Sequence, residues 1–156
     1  MSNGRPVPFE TTLQVRDTCL CLHAQRAART LSRLFDDALR PVGLTSGQFS
    51  LLNALNRPDP PSIAPVARLL AMDRTTLTAA LKPLEREGFV TIAKDPEDGR
   101  NRRLHLTDKG LQVLASAVPI WRHLHAVIEA GLSGLDPDNL RGALTGLSRQ
   151  NAAVAG

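Results

Sequence analysis

A mainly helical fold carrying a single β-hairpin is predicted by three observations on this 156-residue sequence. Apolar residues recur at steps of three or four over most of the chain, which is the period of a half-buried helix. Two short segments with clear start signals, residues 62–70 and 73–87, are separated only by Ala71-Met72, so they form a helix-turn-helix candidate. After Gly88 the period shortens to two over residues 89–93 and again over 103–106, with a polar loop between them.

The elements follow in order. Residues 1–12 contain Arg5, Pro6 and Pro8 and no apolar pattern, so they read as a flexible arm. Between about residues 17 and 39, Leu20, Ala24, Ala27, Leu31, Leu34, Phe35, Ala38 and Leu39 mark one helix, which Pro41-Val42-Gly43 ends. Thr45 and Gln48 have the form of a capping box, and Leu44 and Phe49 are spaced as a hydrophobic staple. That second helix runs to about Asn56, ahead of Pro58-Asp59-Pro60-Pro61. Ser62 is placed to cap a third helix built on Ile63, Val66, Ala67, Leu69 and Leu70. Its Pro65 falls in the first turn, where a missing amide costs little. Asp73 caps a fourth helix, with Met72 and Leu77 at staple spacing. Thr107 opens a long helix to about Leu132, with a kink expected near Pro119. Asp136-Pro137 starts a last one on Leu140, Leu144 and Leu147, weakened by Gly142 and Gly146. Residues 45–106 form a self-contained unit. Residues 13–44 and 107–156 carry apolar surface that one copy cannot cover, so they are expected to form a helical dimerisation region.

Composition narrows the function. The excess of 19 Lys+Arg over 15 Asp+Glu permits nucleic-acid binding without establishing it. No apolar run approaches the ~18–20 residues of a membrane span, and the N-terminus lacks the pattern of a signal peptide, so the expected location is cytoplasmic. Two cysteines make no disulfide framework, and the absence of tyrosine removes stacking platforms for single strands. There is no phosphate-binding glycine loop, no Gly-x-Ser-x-Gly and no His-Glu-x-x-His. The stretch Gly43-Leu44-Thr45-Ser46-Gly47 has its serine one place late for a nucleophile turn. His123 and His125, two apart on a helix, do not share a metal. No enzyme, cofactor or metal site is expected.

On the fourth helix, Leu77, Ala80, Leu81 and Leu84 face inward. The opposite side carries Thr75, Ala79, Lys82 and Arg86, flanked by Arg74, Thr76 and Thr78, with no carboxylate in the first two turns after the cap. Small side chains let a helix approach the major groove, threonine and alanine methyls meet thymine methyls, and Arg or Lys reaches guanine. An ordinary solvated face looks similar, so the hairpin tip decides. Arg100, Arg102 and Arg103 lie just beyond Asp95, Glu97 and Asp98, and an arginine on a narrow loop suits the minor groove. A winged module that binds only proteins would be expected to lose these arginines or to carry acids on the outward face. This chain does neither. Pro83 removes a hydrogen bond to the Ala79 carbonyl within the same helix.

Leu44-Thr45-x-x-Gln48-Phe49-x-Leu51-Leu52, Asp73-Arg74-Thr75-Thr76-Leu77, Leu84-Glu85-x-x-Gly88-Phe89-Val90, Asp98-x-Arg100-Asn101 and Leu106-Thr107-x-x-Gly110 together resemble the MarR family. The resemblance spans roughly residues 17–150, and its specificity lies in the order and spacing of the pieces. It implies a winged helix-turn-helix, a homodimer joined through N- and C-terminal helices, and pseudo-palindromic double-stranded DNA sites. It implies Arg74, Thr75, Thr76, Thr78 and Lys82 as base-contact candidates and Ser62 as a phosphate contact. In the wing it implies Arg100 in the minor groove, oriented by Asp98, with Asn101 and Arg102 beside it. The expected activity is that of a sequence-specific transcription regulator, a repressor released by a small-molecule effector bound where the dimer helices meet the winged unit.

The alternative is a thiol-responsive regulator acting through Cys21 or Cys19. On one continuous helix these two would point about 200° apart and could not readily pair. One reading makes at least one of them a small buried hydrophobe. By its distance from Thr45, Cys21 lies near the sensing thiol of the family's hydroperoxide-responsive branch. The tyrosines that branch uses are replaced here by Gln25 and Phe35, which favours electrophiles over peroxides. Trp121 reads as core or dimer packing, or as the wall of a ligand pocket.

Overall fold

The computed structural model describes residues 6–150. Helices α1 (Phe9–Thr18), α2 (Leu20–Leu39) and α3 (Ser46–Leu55) precede the helix-turn-helix pair α4 (Ile63–Leu69) and α5 (Arg74–Arg86). The hairpin β1 (Val90–Lys94) and β2 (Arg102–Leu106) follows, then α6 (Asp108–Ala130) and α7 (Pro137–Ser148). The strands pair antiparallel, Val90 opposite Leu106 and Lys94 opposite Arg102. This is the expected mainly helical fold with a two-stranded wing. Among the described residues no helix is long and apolar enough to cross a membrane.

Side-chain caps set most of the helix starts. Thr45 and Gln48 form both bonds of the capping box, and Asp73, Thr107 and Asp136 each accept an amide from the first turn of their helix. A carboxylate also reaches α3 from outside, where the Ser46 amide donates to Asp36 Oδ1 of α2 at 2.6 Å. That bond holds the Asp36 carboxyl below the usual carboxylate range. Ser62 stands at the N-cap position of α4, but contrary to expectation its side chain makes no cap bond.

The turn of the helix-turn-helix is a Schellman motif. Met72 N donates to Ala67 O at 2.9 Å and Ala71 N to Arg68 O at 3.2 Å. Ala71 therefore adopts φ +51°, a left-handed conformation that costs an L-residue about 1–2 kcal/mol. The same motif ends α5, and there Gly88 supplies the positive φ without strain.

The core joins α3, α4, α5 and the wing to parts of α2 and α6. Leu39, Leu52, Val66, Leu77, Leu81, Leu84, Val90 and Leu104 are fully buried. Gly110 lets α6 close on this unit, since a Cβ there would lie 2.2 Å from the Phe89 carbonyl oxygen. Helices α1 and α7 bury no residue, and of α2 only Leu39 is buried.

Two expectations change at the N-terminal edge of the fold. Residues 1–5 of the expected arm lie outside the described residues, and helix α1 already begins at Phe9, after Pro8 in an extended conformation. The single helix expected from residue 17 to 39 is divided at Cys19, whose extended backbone (φ −72°, ψ 108°) ends α1 and caps α2. The Thr18 hydroxyl bonds back to Gln14 O, and Cys19 Sγ accepts the Leu22 amide at 3.5 Å, so each helix end finds its own partner. Helix α6 runs past Pro119, which lies inside it.

Candidate nucleic-acid interface

Helix α5 is oriented by its buried side. Leu77, Leu81 and Leu84 are fully enclosed, which leaves Arg74, Thr75, Thr76, Thr78, Ala79 and Lys82 exposed on the other side. Hydrogen bonds sort these residues further. Thr76 donates both its amide (2.7 Å) and its hydroxyl (2.8 Å) to Asp73, and holds that carboxyl below its ordinary range. Thr78 donates its hydroxyl to the Arg74 carbonyl at 2.8 Å. Both hydroxyls are committed as donors, whereas among the described residues Thr75, Arg74 and Lys82 project without such ties. Pro83 lies inside the helix, half-buried, one turn beyond Ala79.

The wing tip is shaped by Asp98. Its carboxylate accepts the Arg100 amide at 3.1 Å and the Asn101 side-chain amide at 3.2 Å, and its carbonyl accepts Asn101 N at 2.9 Å. Asp98 therefore orients Arg100 through the backbone of the turn and not by pairing with the guanidinium. Arg100, Asn101 and Arg102 are exposed.

The arginines of the wing act differently from one another. Strand alternation puts Arg102 and Arg103 on opposite faces. Arg103 turns back, its Nε 2.8 Å from Asp95 Oδ2 and a terminal nitrogen 3.0 Å from the Pro60 carbonyl. Asp95 is only 7% exposed, and the Glu97 amide with the Arg103 guanidinium keeps its carboxyl below the ordinary range. Sequence reasoning counted Arg103 with the tip and overlooked Asp95 as its partner. The alternation of faces was the signal that separates them.

The two elements meet. Arg74 and Thr78 of α5, Arg100, Asn101 and Arg102 of the wing, and Ile63 of α4 line one recess of about 240 Å³. Ser62, whose side chain is not used as a cap, pairs through its backbone with Arg103. Of the expected site residues, Arg74, Thr78, Arg100, Asn101 and Arg102 thus share one recess, whereas Thr75, Thr76, Lys82 and Asp98 do not line it.

Away from this surface, Trp121 of α6 stacks between Phe49 (6.2 Å between ring centres) and His125 (4.8 Å). It lines a recess of about 540 Å³ with Phe49, Asn53, Leu69 and Arg122. The Asn53 side-chain amide donates to Phe49 O at 2.9 Å, which leaves its carbonyl available to the recess. Within the single chain Cys21 is exposed and Cys19 half-buried, so the core of the chain itself encloses neither. The break at Cys19 also means that no continuous helix runs through both residues. Among the described residues no group of three or more His, Cys, Asp or Glu could hold a metal.

Comparison with known proteins agrees with this geometry. The model of the MarR family matches residues 44–101, which run from the start of α3 to the wing tip. The transcriptional regulator YkoM of Bacillus subtilis strain 168 is 34% identical over 123 residues, 71% of this chain and 77% of its own length. The Mycobacterium tuberculosis regulator MosR, in complex with DNA, superposes with a TM-score of 0.78 at 36% identity, covering 88% of this chain and 98% of that one. The repressor CouR bound to a 23-mer duplex gives a TM-score of 0.69 at 30% identity, over 91% and 96% of the two chains. Fold, wing and recognition helix thus agree with sequence kinship along most of the chain, which belongs to the MarR family of DNA-binding winged helix-turn-helix transcription regulators.

Proposed function

We propose that this chain binds a pseudo-palindromic operator as a homodimer, reading the major groove with α5 and the adjacent minor groove with Arg100. The carrying observation is the recess at which Arg74 and Thr78 meet Arg100, Asn101 and Arg102. It provides a cationic, donor-rich surface reaching from the recognition helix to the wing tip, with Ser62 nearby for a phosphate. The exposed Leu31, Leu34, Leu144 and Leu147 of α2 and α7 support a second copy as the partner of the terminal helices. Arg100→Ala should weaken operator binding, most of all on A/T-rich flanks, and lower the salt slope by about one unit. Fluorescence anisotropy titrations at several salt concentrations measure both quantities. An unchanged slope would remove the wing from the interface.

In this reading the regulator is a repressor released by a small ligand seated in the recess beside Trp121, where α6 meets the winged unit. Its size suits a ligand of one or two rings, and its walls are apolar with a few polar groups, the usual composition of such sites. A CouR from Rhodococcus jostii RHA1, alike in fold alone at 19% identity, was crystallised with p-coumaroyl-CoA.

One observation favours a second reading, release by thiol modification. Cys21 is exposed in the first turn of α2, directly after the break at Cys19. A quinone treatment should abolish operator binding by wild type and Cys19→Ser and spare Cys21→Ser. Equal responses from all three would return the signal to the ligand recess.

A further inference from the structure

The basic surface depends on a contact lying behind it. The bonds that join the wing to the helix-turn-helix converge where the two strands run into the wing loop. Asp95 N donates to Asn101 O at 3.0 Å and closes the loop, while Leu104 N donates to Pro61 O at 2.9 Å. Arg103 pairs through its backbone with Ser62 as an isolated antiparallel bridge, and its guanidinium spans Asp95 and the Pro60 carbonyl. One side chain thus links the wing loop to the segment that enters α4, across 43 positions of sequence. The carboxylate it grips is nearly enclosed, and its two oxygens serve different donors. Oδ1 accepts the Glu97 amide at 2.9 Å, and Oδ2 accepts Arg103.

We propose that Asp95 and Arg103 are positioning residues, a clamp that fixes the wing tip at one distance from the recognition helix so that Arg100 enters its groove while α5 occupies the other. Arg103 then serves DNA binding without touching DNA. The clamp matters because a two-stranded hairpin alone is marginally ordered in water. Without it, binding would have to order the wing as well as engage it, and that cost lowers affinity. The proposal rests on the reading that Arg100 meets DNA, and the experiment separates the two.

Asp95→Asn is the informative variant, because charge and position predict opposite signs. Removing an acid close to a polyanion should by itself tighten binding. Loss of the clamp should weaken it. The Glu97 amide and Arg103 approach different oxygens, and asparagine turns one of these into an NH2 donor, so one of the two donors loses its acceptor. We expect Asp95→Asn and Arg103→Met each to weaken operator binding about tenfold. Glu97→Gln, which removes an acid from the same wing loop, should leave binding unchanged or tighten it. In an Arg100→Ala background neither clamp variant should weaken binding further, since the group they position is gone. Unfolding midpoints near that of wild type would show that the winged unit itself remains folded. Additive losses, or a further drop in salt slope when Arg103→Met is added to Arg100→Ala, would make Arg103 a direct contact and overturn the clamp. If Arg100→Ala alone has no effect, the wing reading fails, and a clamp acting through Arg100 falls with it.

Discussion

Replacing Gly110 with alanine should destabilise the winged unit by about 3 kcal/mol, at the upper end of the cost of overpacking a core. Helix propensity alone predicts the opposite, since alanine is favoured over glycine within a helix by about 1 kcal/mol. The collision dominates because of what the new carbon would meet. The Phe89 carbonyl oxygen would be 2.2 Å away and the Phe89 carbonyl carbon 3.1 Å. Both are backbone atoms, and neither can swing aside as a side chain would. The same carbonyl accepts the Thr107 amide at 3.1 Å, while the Thr107 hydroxyl donates to Gly88 O at 2.6 Å, so the junction is held from several sides. For a chain of this length the expected fall in melting temperature is roughly 6–12 °C, measured by circular dichroism. A variant melting with wild type would mean that α6 stands off the wing base farther than the structure places it.

On the proposed interface, Lys82→Glu should reduce operator affinity by roughly 100-fold, about 2.7 kcal/mol. Two effects add: a charge-assisted contact is lost, and a carboxylate is set against the phosphates. Thr75→Glu, near the start of α5, should act in the same direction. Both residues are exposed, and among the described residues their side chains make no hydrogen bond that their loss would break, so stability should change by less than about 0.5 kcal/mol. A mobility-shift titration beside a melting curve tests this. Operator binding at wild-type strength in either variant would turn that face of α5 away from the groove.

The parts of the fold that were legible in sequence are those encoded by neighbours. Thr45 with Gln48, Asp73, Thr107 and Asp136 bond to amides three residues away, so the pattern that predicts them is the pattern that forms them. The outward side of α5 was legible for the same reason, because its buried leucines repeat at the helical period. Contacts between distant residues left no such trace. Asp36 reaches Ser46 ten positions on, and Arg103 reaches Pro60 across 43. The break at Cys19 was hidden by Leu20 and Ala24, which extend the apolar period of α2 right up to it. A sulfur acceptor is a weaker cap signal than the oxygen of serine or aspartate. Ser62 shows the reverse error: the sequence marked the position of the cap correctly, but the hydroxyl does not serve as one.

The stack of Phe49, Trp121 and His125 also makes the protein its own optical probe. The sequence holds one tryptophan and no tyrosine, so near-ultraviolet emission comes essentially from a single indole. That indole is in contact with α3 on one side and with the next turn of α6 on the other. Its colour and intensity follow the polarity and rigidity of that one place, without a background to subtract. Whatever enters the adjoining recess, or shifts α3 against α6, is registered in unlabelled protein at the point where the winged unit joins its long supporting helix.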